Sequence, residues 1–450
     1  MKIIYILLDA ISYKHSWLAN EDAMPNLAAQ KKNFLNFHKH YSVTHNTRGN
    51  LAALFSGVSS SLNKVVSRAH SFADNKYGYL QEILNKHGFS SHYVGTQLLY
   101  RPTLSNDNLG FSENISLSPS MADYYIPGEK FNNICKNKIE KMSNEKYFMM
   151  LHYTDAHEPY DTPYNIITKK EFPLIWKFLY QSKNLFYRIP RRFARIYFKP
   201  QTIKRNKEFF SQYKDLEYLC PKPHGPVLSP ERYPGFYEKC WNDIDFYNEY
   251  VAYMIEALKY QDYVANDLIN YIKKNFSKNT LIFISADHGN NGIISPKKFK
   301  EEGKLYEDVI HIPLSIFSFD DEINKKFNLC GDINELTSHV DFFQTVLGVL
   351  EEKFVDNNYN INLLNPKFKN ERFIFSEFNQ AKSNYGQIKM YNKEKKIEIR
   401  LNSTNNLEEL YLCSRDKIIN DISNEDFDLY LSEKEKYNNI YISRKNIKAQ

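Results

Sequence analysis

At three places along the 450-residue chain, carboxylates and imidazoles follow directly on an apolar run. "IIYILL" at 3–8 leads into Asp9, "YFMMLHYT" at 147–154 into Asp155 and His157, and "LIFISA" at 281–286 into Asp287 and His288. Carboxylate oxygens and imidazole nitrogens are the donors that zinc, manganese, calcium or magnesium accept, and the donor types alone do not choose among these ions. A single aspartate after a strand is ordinarily a helix cap. Asp and His together at successive strand ends have no such shared reason, so the set reads as a metal site. A fourth stretch, "HYSVTHNTRGNLAALFSGVSS" at 40–60, packs His45, Asn46, Thr47, Arg48, Gly49 and Asn50 ahead of a smooth helical run. A strand-to-helix turn there would present a polar side chain beside free N–H groups that stabilise an anion. The structural alternative is that Thr47 simply caps the helix.

A sheet has to position these groups. Unbroken apolar runs, "SSHYVGT" at 90–96 among them, alternate with helical patterns such as "YLQEILNKHGFS", closed by Gly88, and "YMIEALKYQDYVANDLINYIKKNF". That rhythm predicts an α/β fold, a mostly parallel central sheet covered by helices on both faces. In such sheets functional groups collect at the carboxyl ends of the strands. The pattern gives a catalytic domain over 1–365, interrupted at about 165–240 by a proline- and aromatic-rich insertion, and a small C-terminal α+β subdomain over 366–450.

Composition narrows the function classes. A 42% hydrophobic content supports a large core. A net charge of +6 on this length is no nucleic-acid signature by itself, and no nucleic-acid partner is expected. The five cysteines (Cys135, Cys220, Cys240, Cys330, Cys413) are scattered and never form a C-x-x-C pair, which fits a reducing compartment better than a disulfide framework or a structural zinc site. "MKIIYILLDAIS" is too short in its apolar run for a signal peptide and reads as a buried strand. No run approaches the ~20 residues of a membrane span, so the location expected is cytoplasmic.

The motifs, in order, resemble the sulfatase-like branch of the alkaline phosphatase superfamily. "IIYILLDA" is similar to that family's first strand with its metal-binding Asp, "AMPNLAAQKKNFLNFHKHYS" to its "MPNL" segment, "HYTDAHEPY" to its "H.D.H.PY" loop and "ISADHGNNG" to its "SDHG" metal motif. "LYEDVIHIPLSIF", "TSHVDFFQTVL" and "EELYLCSRDKIINDIS" resemble later family segments. The family places its nucleophile ten residues before the glycine that ends the helix pattern, and counting back from Gly57 gives Thr47. Sulfatases carry there a cysteine, oxidised to formylglycine, within C-x-P-S-R; this chain has Thr47-Arg48-Gly49-Asn50-Leu51. It also has Gly95-Thr96-Gln97-Leu98 where the family's "GKWH" sulfate contacts stand.

The substitution changes the chemistry expected. A formylglycine hydrate sheds sulfate by elimination, whereas a threonine ester must be opened by a second in-line attack, a route that suits phosphoryl groups. Coordination to a divalent metal lowers the pKa of a hydroxyl such as that of Thr47. The resemblance thus implies a metal site of Asp9, Asp287, His288 and Thr47, as in threonine-nucleophile phosphodiesterases and phosphoethanolamine or phosphoglycerol transferases. It implies substrate contacts from His157 and Lys304. Arg48, beside the nucleophile, could clamp phosphate oxygens. Asp155 and His311 could complete a second metal site or merely orient His157 and the substrate.

Residues 169–207 carry twelve Lys or Arg and one acidic residue, interleaved with Trp176, Phe186, Tyr187, Phe193, Tyr197 and Phe198. Two readings stand: a lid over the site, or a contact for an anionic membrane surface or polyanion. The function expected is a metal-dependent phosphoryl-ester hydrolase or phospho-substituent transferase acting on a glycan-type substrate. The alternatives are a sulfuric ester hydrolase without formylglycine and a non-catalytic glycan- or membrane-binding protein of the same fold.

Overall fold

β1 (Lys2–Leu8), β5 (Tyr147–Tyr153) and β6 (Thr280–Ala286) are mostly apolar and buried at every position after Lys2, which leaves them no solvent face, so they form the middle of a sheet covered on both sides. The other strands are β2 (Leu35–Tyr41), β3 (Ser90–Gly95), β4 (Glu113–Ser116), β7 (His311–Phe317) and β8 (Gly331–Ser338). The eight lie in the order β4-β3-β5-β1-β6-β7-β2-β8. All neighbours are parallel except β7, which runs antiparallel to both β6 and β2. The mostly parallel sheet read from the sequence is therefore present. The structure, a computed structural model, describes residues 1–65, 78–95, 109–116, 127–157, 239–240, 242–290, 305–352, 360–364, 372–380, 385–393, 396–402, 407–414 and 417–419, with single positions elsewhere. The insertion at 165–240, the basic run at 169–207 and Lys304 lie outside the described residues apart from Leu174, Lys239 and Cys240.

Side chains alternate across each strand, so the sheet has two apolar faces. Ile4, Ile6, Leu8, Leu151, Tyr153 and Ile284 face α1 (Pro25–Gln30), α4 (Gly128–Lys141) and α5 (Ile244–Asn275). Ile3, Tyr5, Leu7, Phe148, Met150 and Phe283 face α2 (Thr47–Ser56), α3 (Leu80–Lys86) and α6 (Val340–Val349). Asp262 of α5 accepts the N–H groups of Asn26 and Leu27 at 2.8 and 2.9 Å, capping α1 from another helix.

A second sheet is antiparallel, in the order β13-β12-β11-β10-β9, from β9 (Ile374–Gln380), β10 (Tyr385–Tyr391), β11 (Lys396–Asn402), β12 (Leu407–Ser414) and β13 (Lys417–Ile419). Leu429, Ser432 and Lys436 beyond it are helical. Several polar contacts join it to the main domain. Arg372 Nη2 donates to both oxygens of buried Asp341 at 2.6 Å, Lys396 reaches Glu307 at 2.9 Å, and Glu377 N–H donates to Val43 O at 2.7 Å. The last of these ties β9 to the loop that leads into α2.

Candidate metal centre and active site

Strand register brings the first ligands together. Leu8 of β1 pairs with Ala286 of β6, so the next residue on each strand, Asp9 and Asp287, leaves the sheet on the same face at the ~4.8 Å spacing of neighbouring strands. The ligand atoms of Asp9, Asp287 and His288 lie within 4.8 Å of one another, and all three residues are buried. The backbone is bent to achieve this. Ala10 has φ 62°, a left-handed conformation that costs an L-residue about 1 kcal/mol, and its N–H donates to Asp287 Oδ1 at 3.1 Å. Gly289 donates its N–H to Val309 O at 2.7 Å, and a Cβ there would stand 1.9 Å from Asp308 O, so the glycine after His288 is a packing requirement.

Hydrogen bonds settle how the ligands face. His288 Nδ1 lies 2.7 Å from Gly289 O, a carbonyl that can only accept, so Nδ1 carries a proton, and on the neutral ring, the form that binds a metal, Nε2 presents a lone pair. Nε2 in turn lies 3.3 Å from Asp287 Oδ2 and 3.4 Å from Thr47 Oγ1. Asp287 Oδ2 is buried and makes no hydrogen bond. A buried carboxylate oxygen facing an imidazole lone pair is costly unless a cation lies between them. Two carboxylates, one imidazole nitrogen and one hydroxyl fit a divalent ion on this observation. Burial alone would raise the carboxyl of Asp9, but the charge of His157, the hydrogen bond and charge of His152 and the charge of His288 outweigh it and hold the group well below the usual range.

Thr47 opens α2 but does not cap it. The cap is Asn46, in an extended conformation, whose Oδ1 accepts the Gly49 N–H at 2.9 Å. The structural alternative for Thr47, that it caps the helix, is not what the structure shows, and its hydroxyl faces His288. Only 8% of Thr47 is exposed. The loop is held rigidly, because Asn50 Oδ1 accepts from Val43 N and Thr44 N at 3.0 and 3.1 Å while its Nδ2 donates to Thr44 O at 2.8 Å. His339, buried, lies 3.2 Å from Asn50 Oδ1 and 3.0 Å from Ala286 O; both are acceptors, so the neutral ring donates to one of them and packs between this loop and the end of β6.

The remaining predicted residues divide. His157 lies in the turn after β5, near enough for its charge to lower the Asp9 carboxyl. Arg48 is buried with its guanidinium 4.0 Å from the Phe72 ring centroid. Asp155 and His311 do not join the cluster. Asp155 shares strand parity with Tyr153 and accepts the Gly128 N–H at 3.0 Å, at the start of α4 on the opposite face of the sheet from Asp9. His311 lies between Tyr13 and Tyr41, with ring centroids at 4.2 and 4.9 Å, and its Nε2 is 2.8 Å from His38 O. The sequence reading gave no role to His152, whose Nε2 is 3.2 Å from Asp9 Oδ2. The signal for it was a lone histidine inside an otherwise apolar strand.

This sheet, with its acid and histidine ligands at the strand ends, defines an alkaline phosphatase/sulfatase-like fold. The chain belongs to the Sulfatase family, whose model matches residues 2–199 and 200–352. No curated protein matches the sequence significantly. Among solved structures, BT4656 in complex with D-glucosamine-2-N,6-O-disulfate is similar at 14% identity and a TM-score of 0.66, covering 99% of this chain and 98% of that one. The phosphonate monoester hydrolase SpPMH from Silicibacter pomeroyi is similar at 14% identity and a TM-score of 0.60, covering 97% and 94%. Ps i-CgsB in complex with k-i-k-neocarrahexaose is similar at 15% identity and a TM-score of 0.59, covering 97% and 92%.

Proposed function

We propose that the protein is a metal-dependent phosphoryl-ester hydrolase or phospho-substituent transferase that uses Thr47 as its nucleophile. The observation that carries this reading is the Thr47 hydroxyl, 3.4 Å from His288 Nε2 and spared from capping by Asn46. A divalent ion held by Asp9, Asp287, His288 and the Thr47 oxygen would lower the hydroxyl's pKa and offset charge on the transferred group. Thr47 Oγ1 attacks phosphorus as the P–O bond to the leaving group breaks, and the hydroxyl proton ends on the leaving alcohol. Water or an acceptor alcohol then attacks phosphorus in line and frees Thr47. His157 contacts the transferred group from the turn after β5. The positive end of the α2 dipole stabilises its charge.

A second reading, sulfuric ester hydrolysis from unmodified Thr47, draws support from family membership and from the sulfated sugar named with BT4656. The missing cysteine at position 47 weighs against it. The sugars bound to BT4656 and Ps i-CgsB support a glycan-type substrate under either reading. Among the described residues no helix is long and apolar enough to cross a membrane, and the described cysteines Cys135, Cys240 and Cys330 are not in disulfides.

Purified protein supplied with manganese or zinc should be assayed against matched aryl sulfate, aryl phosphate and aryl phosphodiester substrates. The proposal expects a phosphoester to be turned over at least tenfold faster than the sulfate. Preference for the sulfate would replace the first reading with the second.

A further inference from the structure

We propose that Tyr93 and His152 form a buried positioning relay that fixes the Asp9 carboxylate for metal binding, with Gly95 as the space that lets it form. The proposal rests on the metal centre described above. All three polar members are fully buried: Tyr93, His152 and Asp9. Tyr93 Oη lies 2.8 Å from His152 Nδ1, and His152 Nε2 lies 3.2 Å from Asp9 Oδ2. An ionised carboxylate only accepts, so Nε2 carries a proton; on a neutral ring Nδ1 then accepts from the Tyr93 hydroxyl, and on a protonated ring it donates to the hydroxyl oxygen. In both cases the ring links Tyr93 to Asp9 through one bond on each side.

The strand register explains why these residues meet. His152 pairs with Leu7 on one side and with Gly95 on the other. It therefore points to the same face as Leu7 and Asp9, two residues further along β1. Tyr93 lies two residues before Gly95 on that same face, and its phenol lies back over the glycine to reach the imidazole. A Cβ on Gly95 would stand 2.1 Å from the Tyr93 hydroxyl and 2.4 Å from its Cζ. Any other residue at position 95 would thus displace the tyrosine, which gives this glycine a role separate from backbone conformation.

The consequence concerns the carboxylate. With Oδ2 held by His152, rotation of the Asp9 carboxylate about its last bond is restricted, and its orientation toward Asp287 and His288 is set before any ion arrives. Partners of this kind around a metal ligand typically contribute 10–100-fold to metal affinity.

The test is metal affinity at equilibrium, by competition of manganese or zinc with a fluorescent chelator, together with thermal denaturation of each metal-free variant. His152→Leu and Tyr93→Phe should weaken affinity by about 10–100-fold and about 3–10-fold respectively, while His152→Gln, whose amide N–H can replace Nε2, should restore most of the loss. Gly95→Ala should match Tyr93→Phe in affinity. Should His152→Leu fail to fold, Tyr93→Phe and Gly95→Ala carry the test, since one removes a single oxygen and the other adds a single carbon. Asp287→Asn is the control. If it loses metal while the relay variants that fold, His152→Leu included where it does, bind as tightly as wild type, the relay is refuted and the metal centre stands. If Asp287→Asn keeps full affinity, the metal centre itself is wrong.

Discussion

Replacing Thr47 by alanine separates chemistry from structure, because the two predicted effects differ greatly in size. The substitution removes a hydroxyl and a methyl from the first residue of α2. Helix propensity favours alanine by a few tenths of a kcal/mol, and losing one buried methyl costs about 1 kcal/mol. The cap is untouched, since Asn46 supplies it. The net stability change is therefore at most about 1 kcal/mol. Losing a nucleophile commonly costs at least 10³-fold in turnover, about 4 kcal/mol of transition-state stabilisation. Initial rates with an aryl phosphodiester should be measured beside metal content and a thermal melt. Thr47→Ala should fold, bind metal and turn over at least about 10³-fold more slowly. Asn46→Ala should show the reverse pattern, losing about 1 kcal/mol of stability while retaining the hydroxyl. If Thr47→Ala turned over within tenfold of wild type, the hydroxyl would not be the nucleophile. Thr44 would then be the next residue to test, since Ser42 Oγ already donates to Thr44 O at 3.0 Å.

Other outcomes follow from the same contacts. Asp287→Asn and His288→Ala should each lower metal affinity by about 100-fold or more, read by elemental analysis after dialysis, and full metal retention in both would contradict the ligand set. Asp341→Ala should destabilise by about 3–5 kcal/mol in urea unfolding, because it removes the carboxylate that offsets the buried Arg372 charge and the acceptor for Ile361 N and Ser338 N; a change below 1 kcal/mol would show that the pair is not held as described. Stability should also fall in acid. Burial first, then the charge of Lys14 for His15 and of His288 for His339, push both histidines down to about 4, and burial with the charges of His339, Arg372 and His311 holds His40 well below its usual value. The unfolded chain binds these protons near pH 6.5, so stability present above that value is lost as pH falls toward 4, by on the order of 1 kcal/mol per pH unit for each histidine. Asp262 and Asp341, whose carboxyls burial raises, offset part of the loss near pH 4. A melting temperature that stays flat from pH 7 to 4.5 would contradict this.

Much of the site was legible because ligand types follow apolar runs directly. Asp9, Asp287 and His288 are the first polar residues after strands that the sequence delimits to within a residue or two, and the parallel register then brings them together. Asp155 stands apart from the cluster for a reason of geometry. It stands one residue past the position level with Asp9, and the two-residue alternation of a strand sends it to the α4 face. Capping stood as the alternative role for Thr47 because both Thr and Asn can cap, and only the backbone conformation shows that Asn46 does so. β7 entered the sheet antiparallel, and nothing in "HIPLSIF" states a direction. His152 escaped notice because pairing across three strands, not spacing along one, makes it a neighbour of both Asp9 and Gly95.

The central claim is that Thr47 carries the transferred group, and intact-protein and peptide mass spectrometry of enzyme quenched during turnover of a slow aryl phosphodiester tests it most directly. An adduct of the phospho-substituent's mass should appear on the peptide containing Thr47, formed only with metal present and absent from Thr47→Ala. Turnover accompanied by an adduct on a different residue, or by a Thr47 peptide that stays unmodified while product accumulates in a burst, would contradict it.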